Sequence, residues 1–127
     1  MEILVPVSLG ELYDKISILL IKKENVKDTI KLENIQKELD ILQDIAENFD
    51  IDGIYHTELY NINSHIWNIE DKIRIKEKNK DFHNDEFIEL ARSVYFWNDK
   101  RSEVKRQINL QYNSSIIEEK QYEKYKL

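Results

Sequence analysis

Along nearly the whole chain, apolar residues return every three or four positions, and this period is the strongest constraint on the fold. Ile35, Leu39, Leu42, Ala46 and Phe49 recur in alternating steps of four and three, with Ile45 widening the stripe. Leu9, Leu12, Ile16, Leu19 and Leu20 make a second such stripe, and Leu59, Ile62, Ile66, Ile69 and Ile73 a third. Phe87, Leu90, Ala91, Val94 and Tyr95 begin a fourth, which Val104 and Ile108 resume. A helix has 3.6 residues per turn, so each block gathers its apolar side chains on one helical face, whereas a half-buried strand needs strict alternation. The chain has only two Gly and one Pro to interrupt these runs. Long helices with few tight turns follow.

Local chemistry places the ends. Ser8 and Glu11 form an S-x-x-E capping box that starts the first helix, which ends near Asn25. The second helix begins at Asp28 or Thr29 and stops before the Asp52-Gly53 turn signal. The third runs from near Thr57 to about Asn79, and the fourth from Asn84 or Asp85 to about Tyr112. A second S-x-x-E pair, Ser115 and Glu118, marks a charged tail as a short docked helix or a frayed end. Before the first helix, Glu2 to Val7 reads as a short extended arm. Pro6 cannot donate a ladder hydrogen bond, so any strand pairing is expected between subunits. The 127 residues fit one domain, 1–127, and the expected architecture is all-α: an antiparallel four-helix bundle with an N-terminal arm and a charged tail.

Several function classes drop out. Without cysteine there is no disulfide, thiolate chemistry or Cys-containing zinc site. The net charge of −6 and the lack of a basic stretch argue against nucleic acid as a partner. Apart from the Pro-interrupted start, the longest apolar run is Ile18 to Ile21, far below the ~20 residues of a membrane span. The start does not read as a signal peptide. A cytoplasmic protein with no membrane association, metal or cofactor is expected. His56, His65 and His83 have no metal-ligand spacing. Glu86 and Glu89 form a lone E-x-x-E pair, better suited to a helix N-terminus than to Mg²⁺.

What chemistry remains sits on the fourth helix. Four of the nineteen basic residues are Arg, and Arg101 falls on the apolar stripe however it is traced. A charge on a core face costs several kcal/mol unless paired. Asp14 of the first helix and Glu70 and Asp71 of the third are candidate partners. One reading is a structural ion pair. Another is a polar pocket in which Arg101, Lys105 and Arg92, with Asn98, hold an anionic ligand oriented by Asp14 or Glu70. The third is a solvated Arg101. Trp67, on a polar face, marks either an interface or a bundle edge.

Val5 to Leu19 (V-P-V-S-x-G-E-L-x-D-K-I-x-I-L), Trp67 to Arg74 (W-x-I-E-D-x-I-R) and Leu90 to Arg101 (L-A-R-S-V-Y-x-x-N-D-x-R) form blocks, followed by Lys105-Arg106 and Glu118-Glu119-Lys120. The pattern resembles a small bacterial and phage family known as a domain of unknown function. That resemblance implies a compact helical protein with no assigned activity. A looser likeness is to the all-helical chorismate mutases, small dimers with a cationic pocket among helices. This chain departs from them at the first helix, where it carries Lys15 and Lys22 and no Arg. The sequence does not assign a reaction. It favours a non-enzymatic helical bundle, homodimeric, acting by protein–protein contact. The alternative is a binder of, or enzyme on, a small anionic metabolite.

Overall fold

A computed structural model describes residues 1–126. Four helices follow in order: α1 (Leu9–Asn25), α2 (Thr29–Ala46), α3 (Gly53–Lys78) and α4 (Glu86–Gln111). No strand is present among the described residues, so the all-α expectation holds. No helix among them is long and apolar enough to cross a membrane.

The ends show how local chemistry sets each element. Ser8 Oγ accepts from the Glu11 amide at 3.1 Å, the first half of the expected capping box. Asp28 does the same for the Lys31 amide at 2.9 Å. α3 starts four residues earlier than the sequence suggests. Asp52 caps the Ile54 amide at 3.0 Å, so Asp52-Gly53 is a helix start and not a free turn. α3 therefore equals α4 at 26 residues, ~39 Å at 1.5 Å per residue, against 17 for α1. α3 and α4 both close through a residue in the left-handed region, Lys80 at φ 50° and Asn113 at φ 55°. The Asp81 amide then donates to the Lys76 carbonyl, and the Ser114 amide to that of Asn109, which satisfies carbonyls left over at each helix end.

α1 is the hub. It packs against all three other helices, α3 packs on α4, and α2 makes no close backbone approach to either. The four helices thus do not close into a ring in which each touches two sequence neighbours. α3 and α4 run antiparallel: Tyr55 bonds Gln111, His65 stacks on Trp97 with centroids 4.3 Å apart, and Lys76 reaches Glu86 at 2.7 Å. The centre of the core is formed by Leu39, Leu59 and Ile108, each no more than 1% exposed, with Leu12, Ile16 and Leu19 of α1 around them. The first helix is apolar on several sides because three helices cover it.

Two parts of the expected core lie outside it. On α4, Ala91 and Tyr95 are exposed and Phe87, Leu90 and Val94 are half-buried, because α4 there packs on α3 and the other cover near Tyr95 is the tail, through the edge of Tyr125 at 5.0 Å between ring centroids. On the stripe of α2, Leu39 is buried, whereas Ile45 and Phe49 are about half exposed. α2 has one neighbour, so only its central line is covered.

Of the two states expected for the tail, a short docked helix or a frayed end, the helix does not form. Residues 115–126 are non-helical. Glu118 is drawn instead to Lys105 and Ser8, an interaction with residues far away in sequence that outweighs a local cap.

Candidate functional site

The polar residues of the molecule converge where the start of α1 crosses the end of α4. Gly10 makes the crossing possible. A Cβ at this position would stand 2.9 Å from the Lys105 Cα and 3.0 Å from Asn109 Oδ1, and closer still to the Lys105 carbonyl oxygen. The Gly10 amide donates to Asn109 Oδ1 at 2.6 Å, and Asn109 is 1% exposed. The Leu9 amide donates to Ser114 Oγ at 3.1 Å. The first amides of α1, which a helix start leaves without intrahelical partners, are thus satisfied by side chains of the segment from Asn109 to Ser114 and by Ser8. That helix start is consequently closed to an outside anion.

Lys105 anchors the ionic part. Its Nζ lies 2.6 Å from Glu11 Oε2 and 3.3 Å from Glu118 Oε1, with the side chain almost covered. Burial by itself would lower its pKa. The Glu11 hydrogen bond, with the charges of Glu11, Asp14 and Glu118, outweighs that and holds it above the ordinary lysine value. Burial likewise pushes Glu118 up, but the Lys105 charge and the Ser8 and Lys105 hydrogen bonds bring it below the ordinary glutamate value. Ser8 Oγ, which caps α1, also donates to Glu118 Oε1 at 3.1 Å. The tail is fastened to both helices at this point.

One turn further along α1 is Asp14, 2% exposed. Asn63 of α3 donates through Nδ2 to Asp14 Oδ1 at 2.9 Å and to Ser17 Oγ at 2.7 Å. Arg101 stands on the other side, its Nε 3.8 Å from Asp14 Oδ2. That distance makes an ion pair without a hydrogen bond. No buried side-chain nitrogen or oxygen among the described residues lacks a partner. The cluster joins α1, α3, α4 and the tail, and its buried polar atoms are satisfied from within.

Of the residues the sequence singles out, Asp14, Arg101 and Lys105 come together. Arg92 and Glu70 do not: Arg92 pairs with Glu89 at 3.1 Å and Glu70 with Arg74 at 3.2 Å, both on exposed surface one helical turn apart. Asn98 is half-buried on α4, one turn before Arg101, with no hydrogen-bond partner among the described residues. Glu86 is engaged by Lys76 and Glu89 by Arg92, so the E-x-x-E carboxylates are each matched to a cation. Among the described residues no group of three or more His, Asp or Glu could hold a metal ion. Trp67 is half-buried, and Trp97 packs on the core edge against His65. Sequence reasoning missed Gly10, Asn63 and Asn109. An isolated glycine just inside a helix start was the available signal, since it often marks close backbone approach. Asn63 lies between Ile62 and Ile66 on the buried face and carried none.

A second surface feature is apolar. The arm and the C-terminal half of α2 border a groove of about 940 Å³ at the start of α1. Ile3, Leu4 and Val5 of the arm are 79, 87 and 67% exposed, and Ile41, Ile45 and Phe49 opposite them 38, 43 and 48%.

Fold and cluster together define a small all-α protein in which an internal ionic clasp joins three of the helices and the tail. The chain belongs to the family of unknown function DUF6165, which matches it over residues 3–125. The first and last blocks of the sequence resemblance, around Ser8 to Asp14 and Arg101 to Glu118, are the ones that meet in the clasp. No curated protein and no solved structure matches the chain.

Proposed function

We propose that this is a non-enzymatic helical protein that acts through protein–protein contact as a homodimer. The observation that carries the reading is the apolar face formed by the arm and α2. Its six aliphatic and aromatic side chains leave together roughly three and a half side chains' worth of surface in water. At ~2 kcal/mol per buried side chain, covering it is worth ~7 kcal/mol per protomer. Association costs ~4–15 kcal/mol, so covering one such face barely suffices, whereas covering two at once can sustain a complex. The clasp supports the same reading, because each of its buried polar side-chain atoms has a partner within the chain.

The test is sedimentation velocity across low to high micromolar concentration, with wild type beside Ile45→Asp. The expected result is a reversible dimer that the variant weakens by at least tenfold, ~1.4 kcal/mol. A protein that stays monomeric at the highest concentration overturns the homodimer.

One observation favours a second reading, a small anionic ligand. Arg101 is about a quarter exposed, and only its Nε faces Asp14, so its two terminal amino groups have no hydrogen-bond partner among the described residues. A planar guanidinium fork in that condition suits a carboxylate or phosphate.

A further inference from the structure

The tail lies along α4 as a strap held at its two ends. At the inner end Glu118 meets Lys105 at 3.3 Å and Glu119 meets Arg106 at 3.1 Å. At the outer end Tyr125 donates to Asp99 and sets its ring edge against Tyr95. Later tail residues meet earlier residues of α4, so the strap runs antiparallel to the helix. α4 rises ~16 Å from Tyr95 to Arg106. The tail from Glu119 to Tyr125 reaches at most ~20 Å, so it is nearly extended. Beyond the Ser114 amide it takes no backbone–backbone hydrogen bond among the described residues, which leaves side chains to hold it. The strap does not lie flat. A cavity of about 740 Å³ separates it from the helix, lined by Phe96, Asp99 and Ser102 of α4 and by Lys120, Tyr122 and Tyr125 of the strap.

The two ends are held unequally. The Lys105 side chain at the inner end is 9% exposed, and freeing Glu118 would take one of the two carboxylates from a nearly covered ammonium. Tyr125 at the outer end is 41% exposed, so lifting it returns the phenol and the Asp99 carboxylate to water, which replaces the lost bond. The Asp99 hydrogen bond, with burial and the Asp99 charge, pushes the Tyr125 phenol up to about 12. Tyr125 therefore remains a donor throughout the neutral range, and the outer end opens and closes with no change of protonation. A segment fixed at one end and lightly held at the other opens locally while the rest of the fold stays intact.

We propose that the tail is a hinged lid: its outer half, Lys120 to Lys126, pivots about the Glu118–Lys105 clasp, and the Tyr125–Asp99 contact is the latch that gates access of small solutes to the cavity over Ser102. This goes beyond the homodimer reading and does not depend on it.

The chain has no cysteine, so one introduced thiol reports on the cavity directly. Ser102→Cys places it on the cavity wall of the full-length chain, and Lys72→Cys, on the exposed face of α3, is the control. Both are reacted with dithiobis(nitrobenzoate), whose rate follows the open population when opening is fast relative to labelling. The Ser102→Cys thiol should react more slowly than the control. Adding Tyr125→Phe, or Asp99→Ala, should speed it by at least roughly threefold, the loss of one exposed hydrogen bond. Combining the two should speed it no further, because both remove the same contact. Tm should stay within ~2 °C throughout, since the clasp remains closed. A Ser102→Cys thiol that already reacts as fast as the control shows no lid and overturns the proposal. A rate that neither latch variant changes overturns it too, as does a rise that comes only with a fall in Tm, because opening is then global and not a movement of the tail.

Discussion

Replacing Gly10 by Ala isolates the crossing of α1 and α4. The added methyl would sit 2.9 Å from the Lys105 Cα and closer to its carbonyl oxygen, both backbone atoms that no rotamer change can move aside. The helices must separate, which costs ~1–3 kcal/mol as overpacking. Separation stretches the 2.6 Å bond from the Gly10 amide to Asn109, a group 1% exposed, and leaving those partners unsatisfied adds ~1–3 kcal/mol. Alanine's better helix propensity returns up to ~1 kcal/mol. The net loss is ~3 kcal/mol, a fall in Tm of ~10–15 °C for a domain of this size. Gly53→Ala is the control, since a Cβ there meets nothing within 4 Å; it should leave Tm unchanged or raise it slightly. Both are read by circular dichroism at 222 nm and by calorimetry. Adding Asn109→Ala to Gly10→Ala should give no recovery, because the clash is with the Lys105 backbone. A Gly10→Ala protein that melts within ~2 °C of wild type would refute the close approach and the ledger built on it.

Three further outcomes are expected. Arg101→Met leaves the buried Asp14 without its cation and should cost ~2 kcal/mol, below the figure for a fully buried pair because Arg101 is partly solvated; if a thermal-shift screen with phosphate and small carboxylates stabilises wild type and not this variant, the anion reading gains and the purely structural account of Arg101 falls. Glu118 is held below its ordinary 4.5, so its contribution is present above that value and is lost as pH falls through the lower folded value; Lys105 is held above its ordinary 10.5, so its contribution is complete below that value and lost as pH rises through the higher one. Tm should therefore show no dependence from this pair between the two ordinary values, and Glu118→Gln should flatten the acid limb; an unchanged acid limb would disprove the role of Glu118. Lys80→Gly relieves a left-handed backbone that costs a non-glycine residue ~1 kcal/mol, and should raise stability by ~0.5–1 kcal/mol in urea denaturation despite loss of the exposed Glu77 pair; a loss would show that the side chain matters more than its backbone strain.

The features legible in the sequence are those set within one or two helical turns. Ser8 and Asp28 cap the helices the pattern assigns to them, and Leu59, Ile62 and Ile66 are buried as their spacing requires. Gly53 was misread because Asp-Gly serves equally as a turn and as a cap followed by a first helical residue. What was not legible is what depends on the choice of neighbours. Ile45 and Phe49 have the same period as Leu39, and only the absence of a second helix beside α2 leaves them in water. Glu118 has the local signature of a cap box, and only the arrival of Lys105 and Ser8 redirects it. Asp14 was one of three acidic candidates for Arg101, beside Glu70 and Asp71, and the nearness of α1 to α4 selects it, whereas Asn63, which holds the other carboxylate oxygen, is an unremarkable residue among several asparagines.

The clasp lies at one end of a long pair of helices. The last fully buried residue of α3 is Ile66 and the first of α4 is Val104, so everything between them is held by half-buried contacts alone. Cohesion in this molecule is therefore graded along its length. Amide hydrogens near Leu59 and Ile108 should exchange only through global unfolding, while those around Ile75 and Ile88 exchange through a local opening of the far end of the α3–α4 hairpin. The same gradient makes the tip at Phe82–Asn84 the place where a protease should cut first, or an inserted loop be tolerated, without loosening the end that holds the arm.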